Sequence, residues 1–186
     1  MRRCSWKRGA PALAAALLSL RASPAACQAP PRNADPQLAL FGGFGYSVRV
    51  TAGRTEEQFG VLQPQAAFRL GQRFQYVVEA HYARDFRPDG FVAGLVPAGA
   101  RYLLGSGRAA PYLQLGAGFC WTDLKIEEIS RRFNFILQGG VGLLGDRGGA
   151  GTWMIDARWL HYSNAGTVLP NLGFNAIVLL GGWRFR

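Results

Sequence analysis

Histidine, cysteine and long apolar runs are all scarce in this chain, and each shortage excludes a class. With only His81 and His161 in 186 residues, and no cysteine cluster beside them, there is no spacing that would hold a metal. Three cysteines, Cys4, Cys27 and Cys120, are too few for a disulfide framework, and two of them stand in the first thirty residues. Beyond those thirty residues no stretch approaches the ~20 consecutive apolar positions of a membrane-spanning helix. There is also no Lys/Arg block and no nucleic-acid motif, which sets DNA and RNA aside as partners.

The N-terminus reads as an export signal. Arg2, Arg3, Lys7 and Arg8 form a basic start, "APALAAALLSL" an apolar middle and "RASPAACQA" a small-residue exit. Cleavage is expected between Ala25 and Ala29, giving a signal peptide over 1–29 and one domain over 30–186. A lipid-modified Cys27 fits poorly, because "PAA" before it lacks the usual Leu. Loss of 1–29 removes five of the 21 Lys and Arg and none of the 11 Asp and Glu, so the net charge falls from +10 to +5. A basic excess of that size suits anionic lipid headgroups.

What the chain has in quantity is alternation. In "RFQYVVEAHYAR", Phe74, Tyr76, Val78, Ala80 and Tyr82 share one face, and Gln75, Val77, Glu79 and His81 the other. In "PYLQLGAGFCWT", Leu113, Leu115, Ala117, Phe119 and Trp121 alternate with Tyr112, Gln114, Gly116, Gly118 and Cys120. "RFNFILQGGVGLL" repeats the pattern. A soluble sandwich would alternate too. Here, however, the apolar face carries large aromatics and the other face is polar or glycine, the layout of a small barrel with lipid outside. Strands are predicted at 38–50, 58–70, 73–84, 91–104, 111–122, 132–144, 152–164 and 174–185, an all-β, eight-stranded antiparallel transmembrane barrel of the outer membrane. The last strand ends in "GGWRFR", with Trp183 and Phe185 at the C-terminus. Outer connections are then expected at 51–57, 85–90, 123–131 and 165–173. Eight strands leave an interior filled by side chains rather than a wide pore.

The segment "RWLHYSNAGTVLPNLGFN" breaks the pattern. By parity Trp153, Ile155, Ala157 and Trp159 face lipid, and so do His161 and Ser163; on the next strand Asn175 shares the face of Ile177 and Leu179. Polar groups on a lipid-facing surface are costly unless satisfied or functional. Two residues apart on a strand means one face and roughly 7 Å between Cα atoms, a gap an imidazole can close to a hydroxyl. The plainer reading is a polar turn, since Ser, Asn, Ala and Gly commonly build one. His81 is expected to pair with Glu79 inside the barrel, and Asp123, Glu127 and Glu128 to form a solvated outer loop.

"HYSNAGTVLPNLGFN" resembles the signature of the lipid A 3-O-deacylase (PagL-type) family, a His-x-Ser-Asn motif followed by Pro-Asn-x-Gly. The sharp match covers about 15 residues; the rest agrees in pattern over the mature length. The resemblance implies an exported bacterial outer-membrane barrel that hydrolyses the ester-linked 3-hydroxyacyl chain at position 3 of lipid A. Its partner would be lipopolysaccharide in the outer leaflet, its state a monomer or homodimer, and it would need no metal or cofactor. It further implies Ser163 as nucleophile, His161 as general base, and Asn164 as oxyanion donor with backbone N–H groups around Ala165 and Gly166. The family places Glu fourteen positions after the His, whereas this chain has Asn175. An amide can orient the imidazole but cannot stabilise the imidazolium by charge. Glu56, Asp123 and Glu127 are the acids that could substitute from outer loops, and Arg54, Arg84, Arg87, Arg131 and Arg132 form a basic rim that could meet lipid A phosphates. The alternative is a non-catalytic small barrel that binds lipopolysaccharide or serves a structural role.

Overall fold

The computed structural model describes residues 35–48, 56–86, 89–146, 151–169 and 171–185. The expected signal peptide and the rim residues Arg54 and Arg87 lie outside the described residues. Eight strands follow in chain order: β1 Gln37–Ser47, β2 Gln58–Arg69, β3 Phe74–Phe86, β4 Asp89–Leu103, β5 Ala109–Thr122, β6 Phe133–Asp146, β7 Thr152–Ser163 and β8 Phe174–Arg184. Each pairs antiparallel with its sequence neighbours, and β1 pairs with β8 from Ala39↔Arg184 to Ser47↔Ala176, so the sheet closes. Closure leaves no edge, which a sheet in hydrocarbon requires, because an unpaired N–H or C=O there costs several kcal/mol. The predicted strands agree with these to within three residues at every end. Of the expected outer connections, the one at 85–90 shortens most, because β3 and β4 run on until Phe86 faces Asp89.

Alternation decides which way every side chain points. Phe44, Leu62, Leu115, Val141, Ile155 and Leu179 lie exposed on the outer wall, distributed over six of the eight strands. An apolar surface that encircles the protein is far beyond what a soluble monomer presents, and it excludes the sandwich. Three long links, 48–57, 123–132 and 164–173, join strands at one end together with the two-residue β3–β4 link, whereas those at the other end, 70–73, 104–108 and 147–151, are all of four or five residues. That asymmetry marks the first end as extracellular.

The interior is a hydrogen-bonded polar column. Arg158 places Nη1 2.8 and 2.9 Å from the two Glu79 oxygens, and Nη2 2.6 Å from Asp156 Oδ2. Gln65, Gln114 and Gln138 all donate to Glu79 as well. Arg101 stacks on the Tyr112 ring at 4.7 Å and donates to Gln114 at 2.9 Å. With Glu79, Asp156, Arg158 and Arg101 all buried, side chains joined by ion pairs and hydrogen bonds fill the lumen at this level.

His81 lies inside as expected, but its hydrogen bonds go to Gln63 and Tyr162 rather than to Glu79. Arg158, from four strands away, occupies the Glu79 carboxylate instead. At the extracellular end Leu124 and Ile129 of the β5–β6 connection turn into the barrel mouth and join the core. They draw Glu128 inward with them, so it is buried while Asp123 and Glu127 stay exposed. Glu57, also buried there, has its carboxyl pushed well up by burial and by the neighbouring Asp85.

Truncating one side of the central ion pair tests this interior. Arg158→Met leaves Glu79 buried without its cation, and thermal unfolding in detergent, followed by circular dichroism, should show a loss of about 3–5 kcal/mol. Arg158→Met combined with Glu79→Gln and Asp156→Asn, which removes both carboxylates the arginine serves, should recover much of that loss. A single variant as stable as the wild type would mean that the column contributes nothing.

Candidate active site

The β7–β8 hairpin brings the conspicuous polar residues together. Its register pairs Trp159 with Ile177, His161 with Asn175 and Tyr162 with Phe174. The fourteen-residue spacing between His161 and Asn175 is therefore the length of chain that turns and returns to the same level. Asn175 Oδ1 lies 2.9 Å from His161 Nδ1. With an oxygen as acceptor, Nδ1 carries the proton and Nε2 keeps its lone pair, the tautomer a base requires. Nε2 has no hydrogen-bond partner among the described residues, and neither has the Ser163 hydroxyl. Both residues are half-buried on the outer wall, one and the next outward position along β7. The imidazole is clamped from below by Trp159, whose ring stacks on it at 5.5 Å and 14°.

Across the pair lies Gly173, which has φ +72°. A Cβ built there would stand 2.7 Å from His161 Cε1 and 3.4 Å from Nε2. The position needs both the left-handed backbone and the absence of a side chain. Asn175, although Ile177 and Leu179 on the same face are exposed, is only 6% exposed, and its backbone C=O accepts from Val48 N–H at 2.8 Å.

The chain leaves Ser163 through a tight turn. Asn164 O accepts from Thr167 N–H at 3.1 Å, and the two central residues, Ala165 at φ 53° and Gly166 at φ 76°, are both left-handed. That is the pattern of a type I′ turn, which Asn-Gly-type sequences satisfy without strain and an alanine does not. Left-handed alanine costs roughly 1 kcal/mol, and strain of this kind persists where surrounding bonds over-determine the backbone.

Those bonds come largely from Asn164. Its Nδ2 donates to Ser130 Oγ at 2.8 Å and to Val168 O at 2.9 Å, and its Oδ1 accepts from Gly166 N–H at 2.9 Å. Asn171 Oδ1 in turn accepts from Asn164 N–H at 3.2 Å. Of the expected oxyanion donors, then, the Asn164 amide and the Gly166 N–H are both engaged within the protein. Ala165 N–H has no acceptor among the described residues, and the Asn171 amide nitrogen donates to none of them.

Three residues of the site had no individual mark in the sequence reading. Ser130 comes from the β5–β6 connection, thirty-four positions away. Asn171 and Gly173 stand within the quoted motif, but only the turn shows that one braces the backbone after Ser163 and the other makes room for the imidazole. Of the acids that could replace the missing glutamate, Asp123 accepts from Phe91 N–H at 2.7 Å, and neither Glu56 nor Glu127 is hydrogen-bonded to His161.

Comparison with known proteins adds to this geometry. A search of curated proteins finds no match. Among solved structures the chain is similar to the outer membrane enzyme PagL, with a TM-score of 0.67 at 16% identity over 77% of this chain and 97% of that one. It is also similar to Neisserial surface protein A (NspA), with a TM-score of 0.60 at 14% identity over 81% and 96%. At such identities these likenesses establish the outer-membrane barrel fold. The profile of a single family, lipid A 3-O-deacylase (PagL), matches residues 42–184, and by that match across nearly all of the barrel this chain is a member of the lipid A 3-O-deacylase family of the bacterial outer membrane.

Proposed function

We propose that this protein hydrolyses the ester-linked 3-hydroxyacyl chain at position 3 of lipid A by a serine mechanism. The observation that carries the reading is the 2.9 Å contact of Asn175 Oδ1 with His161 Nδ1, which leaves Nε2 without a partner among the described residues, with Ser163 two residues on along the same outer face of β7. His161 Nε2 takes the Ser163 proton as Oγ attacks the ester carbonyl. The oxyanion that forms is met by Ala165 N–H and the Asn171 amide, held in place by the strained turn. His161 then returns the proton to the departing sugar oxygen, leaving an acyl-serine. Water, deprotonated by the same imidazole, attacks that ester and releases the 3-hydroxy fatty acid. Hydrogen bonds between base and nucleophile are often long before substrate arrives and tighten in the complex.

Asn164 supports this reading as the residue that builds the turn. Asn175 supports it by fixing the tautomer, as the asparagine does in Cys-His-Asn proteases. The uncharged Asn175 also favours a second reading, a barrel that binds lipopolysaccharide and has kept the motif without turnover. Mass spectrometry of lipid A incubated with detergent-refolded protein separates the two. Loss of one 3-hydroxyacyl chain with wild type, absent with Ser163→Ala, is the expected result. An unchanged lipid A mass with folded wild type, over several lipid A species, would favour the binding reading.

Asn175→Glu should raise the hydrolysis rate by about tenfold or more, because a carboxylate stabilises the imidazolium. Asn175→Ala should lower the rate. If neither variant changes the rate, position 175 does not act on His161.

Gly173→Ala should cost at least about a hundredfold in rate, because the ring must move and a misplacement near 1 Å has that effect. Thermal unfolding should change far less, as the position lies outside the barrel strands. Wild-type turnover from Gly173→Ala would show that His161 needs no clearance there.

A further inference from the structure

We propose that a pocket in the β5–β6 connection binds a phosphate group of the lipid's sugar headgroup. The inference rests on the reading of lipid A as the lipid bound. Residues 122–127 and 129–132, with Asp89, line a cavity of about 900 Å³ at the extracellular rim, to which Lys125, Ser130, Arg131 and Arg132 contribute. The charges in it are unequally committed. Asp89 is ion-paired with Arg84, and the Asp123 carboxylate accepts from Phe91 N–H. Lys125, Arg131 and Arg132 are exposed and have no carboxylate partner among the described residues. Three cations without a carboxylate partner face two carboxylates, Asp123 and Glu127, since the backbone N–H on Asp123 leaves its charge in place; the balance is one surplus positive charge, with two guanidinium groups adjacent in sequence, suited to a phosphate.

Its position relative to Ser163 is set by two contacts. Leu124 and Ile129 anchor the connection in the barrel mouth, and Ile126 bridges to Ile129 across its tip, so the loop has a defined shape. Ser130 then accepts a hydrogen bond from Asn164, the residue following the nucleophile. On β6 the partner of Ser163 is Phe135, and Arg132 and Arg131 stand three and four residues further out. They lie just before the start of β6, where the chain bends so that Asn134 Nδ2 donates to Arg131 O at 2.7 Å, on the outward side of the level of the serine. The aromatic wall between them, Phe133 against Phe135 with centroids at 5.6 Å, leaves the basic residues above the apolar level where an acyl ester would lie.

The pocket would thus register the headgroup in water while the acyl chain remains in the bilayer. It would select phosphorylated lipid A over neutral glycolipids that carry the same ester.

Native mass spectrometry of the full chain in detergent tests this, using Ser163→Ala protein so that binding is read without turnover. The probes are bis-phosphorylated lipid A and the same lipid with its phosphates removed. Lys125→Gln, Arg131→Gln and Arg132→Gln combined should weaken binding of the phosphorylated lipid by about tenfold or more and leave the dephosphorylated lipid unchanged. In active protein the same triple variant should raise KM for the phosphorylated lipid and leave kcat unchanged. Equal binding of phosphorylated lipid by both proteins, or equal weakening for both lipids, would overturn the assignment. Inorganic phosphate competing as effectively as the lipid would overturn the headgroup as its source. A chain that binds lipid A in a phosphate-dependent way but never releases a fatty acid fails as a hydrolase and leaves this pocket standing.

Discussion

A chain that crosses hydrocarbon with strands must leave no backbone amide unpaired, and the β1–β8 ladder meets that demand here. Once the sheet is closed, period two assigns every residue to lipid or lumen, and a slip of one residue in any strand would exchange the faces. The same rule that sends Glu79 and Arg158 inward sends Trp159, His161 and Ser163 outward. Polar side chains on the outer wall can meet a group that never leaves the membrane, as the proposed mechanism requires. Inside, they would face a packed column of glutamines and ion pairs with no path for a lipid.

The two polar assemblies follow different physics. In the column, buried charge is tolerable because nearly every oxygen of Glu79 and every nitrogen of Arg158 has a partner, and removing one member strands another. In the site the reactive atoms are left without partners while everything around them is tied. Asn164 engages three groups, Asn171 holds the Asn164 N–H, and Ala165 is kept left-handed between them. Rigid strands below and a braced turn above hold the unsatisfied atoms at fixed positions, which is the condition for electrostatic preorganisation.

The barrel was legible in the sequence because each strand declares its own faces: Tyr76, Glu79, Leu115 and Gln114 needed no knowledge of their neighbours to be placed. His161 and Asn175 were legible for the same reason, as polar residues on apolar faces. What local pattern could not reveal were events decided by packing between segments distant in sequence. Glu128 looked like a solvated loop acid, but Ile129 beside it is an anchor in the mouth and pulls it under. His81 looked like a partner for Glu79 two residues away, but that carboxylate is claimed by Arg158 from across the lumen. Asn164 looked like a free donor after the serine, and its amide is consumed by Ser130 of another loop.

Asn175 itself fits this environment. The position is nearly buried at the end of a lipid-facing hairpin, where an isolated carboxylate would lose most of its hydration. A glutamate there is stable only when the imidazole beside it is charged or other donors satisfy it; the amide is neutral in both states of the ring. Asparagine therefore lowers the cost of the site while the ring is neutral and keeps the Nδ1 contact, and it lacks the attraction a carboxylate would have for a protonated ring. Under the proposed mechanism the exchange is between ground-state desolvation and transition-state charge. Trp159 stacked on one side and the missing side chain of Gly173 on another then define the space in which the ring stands.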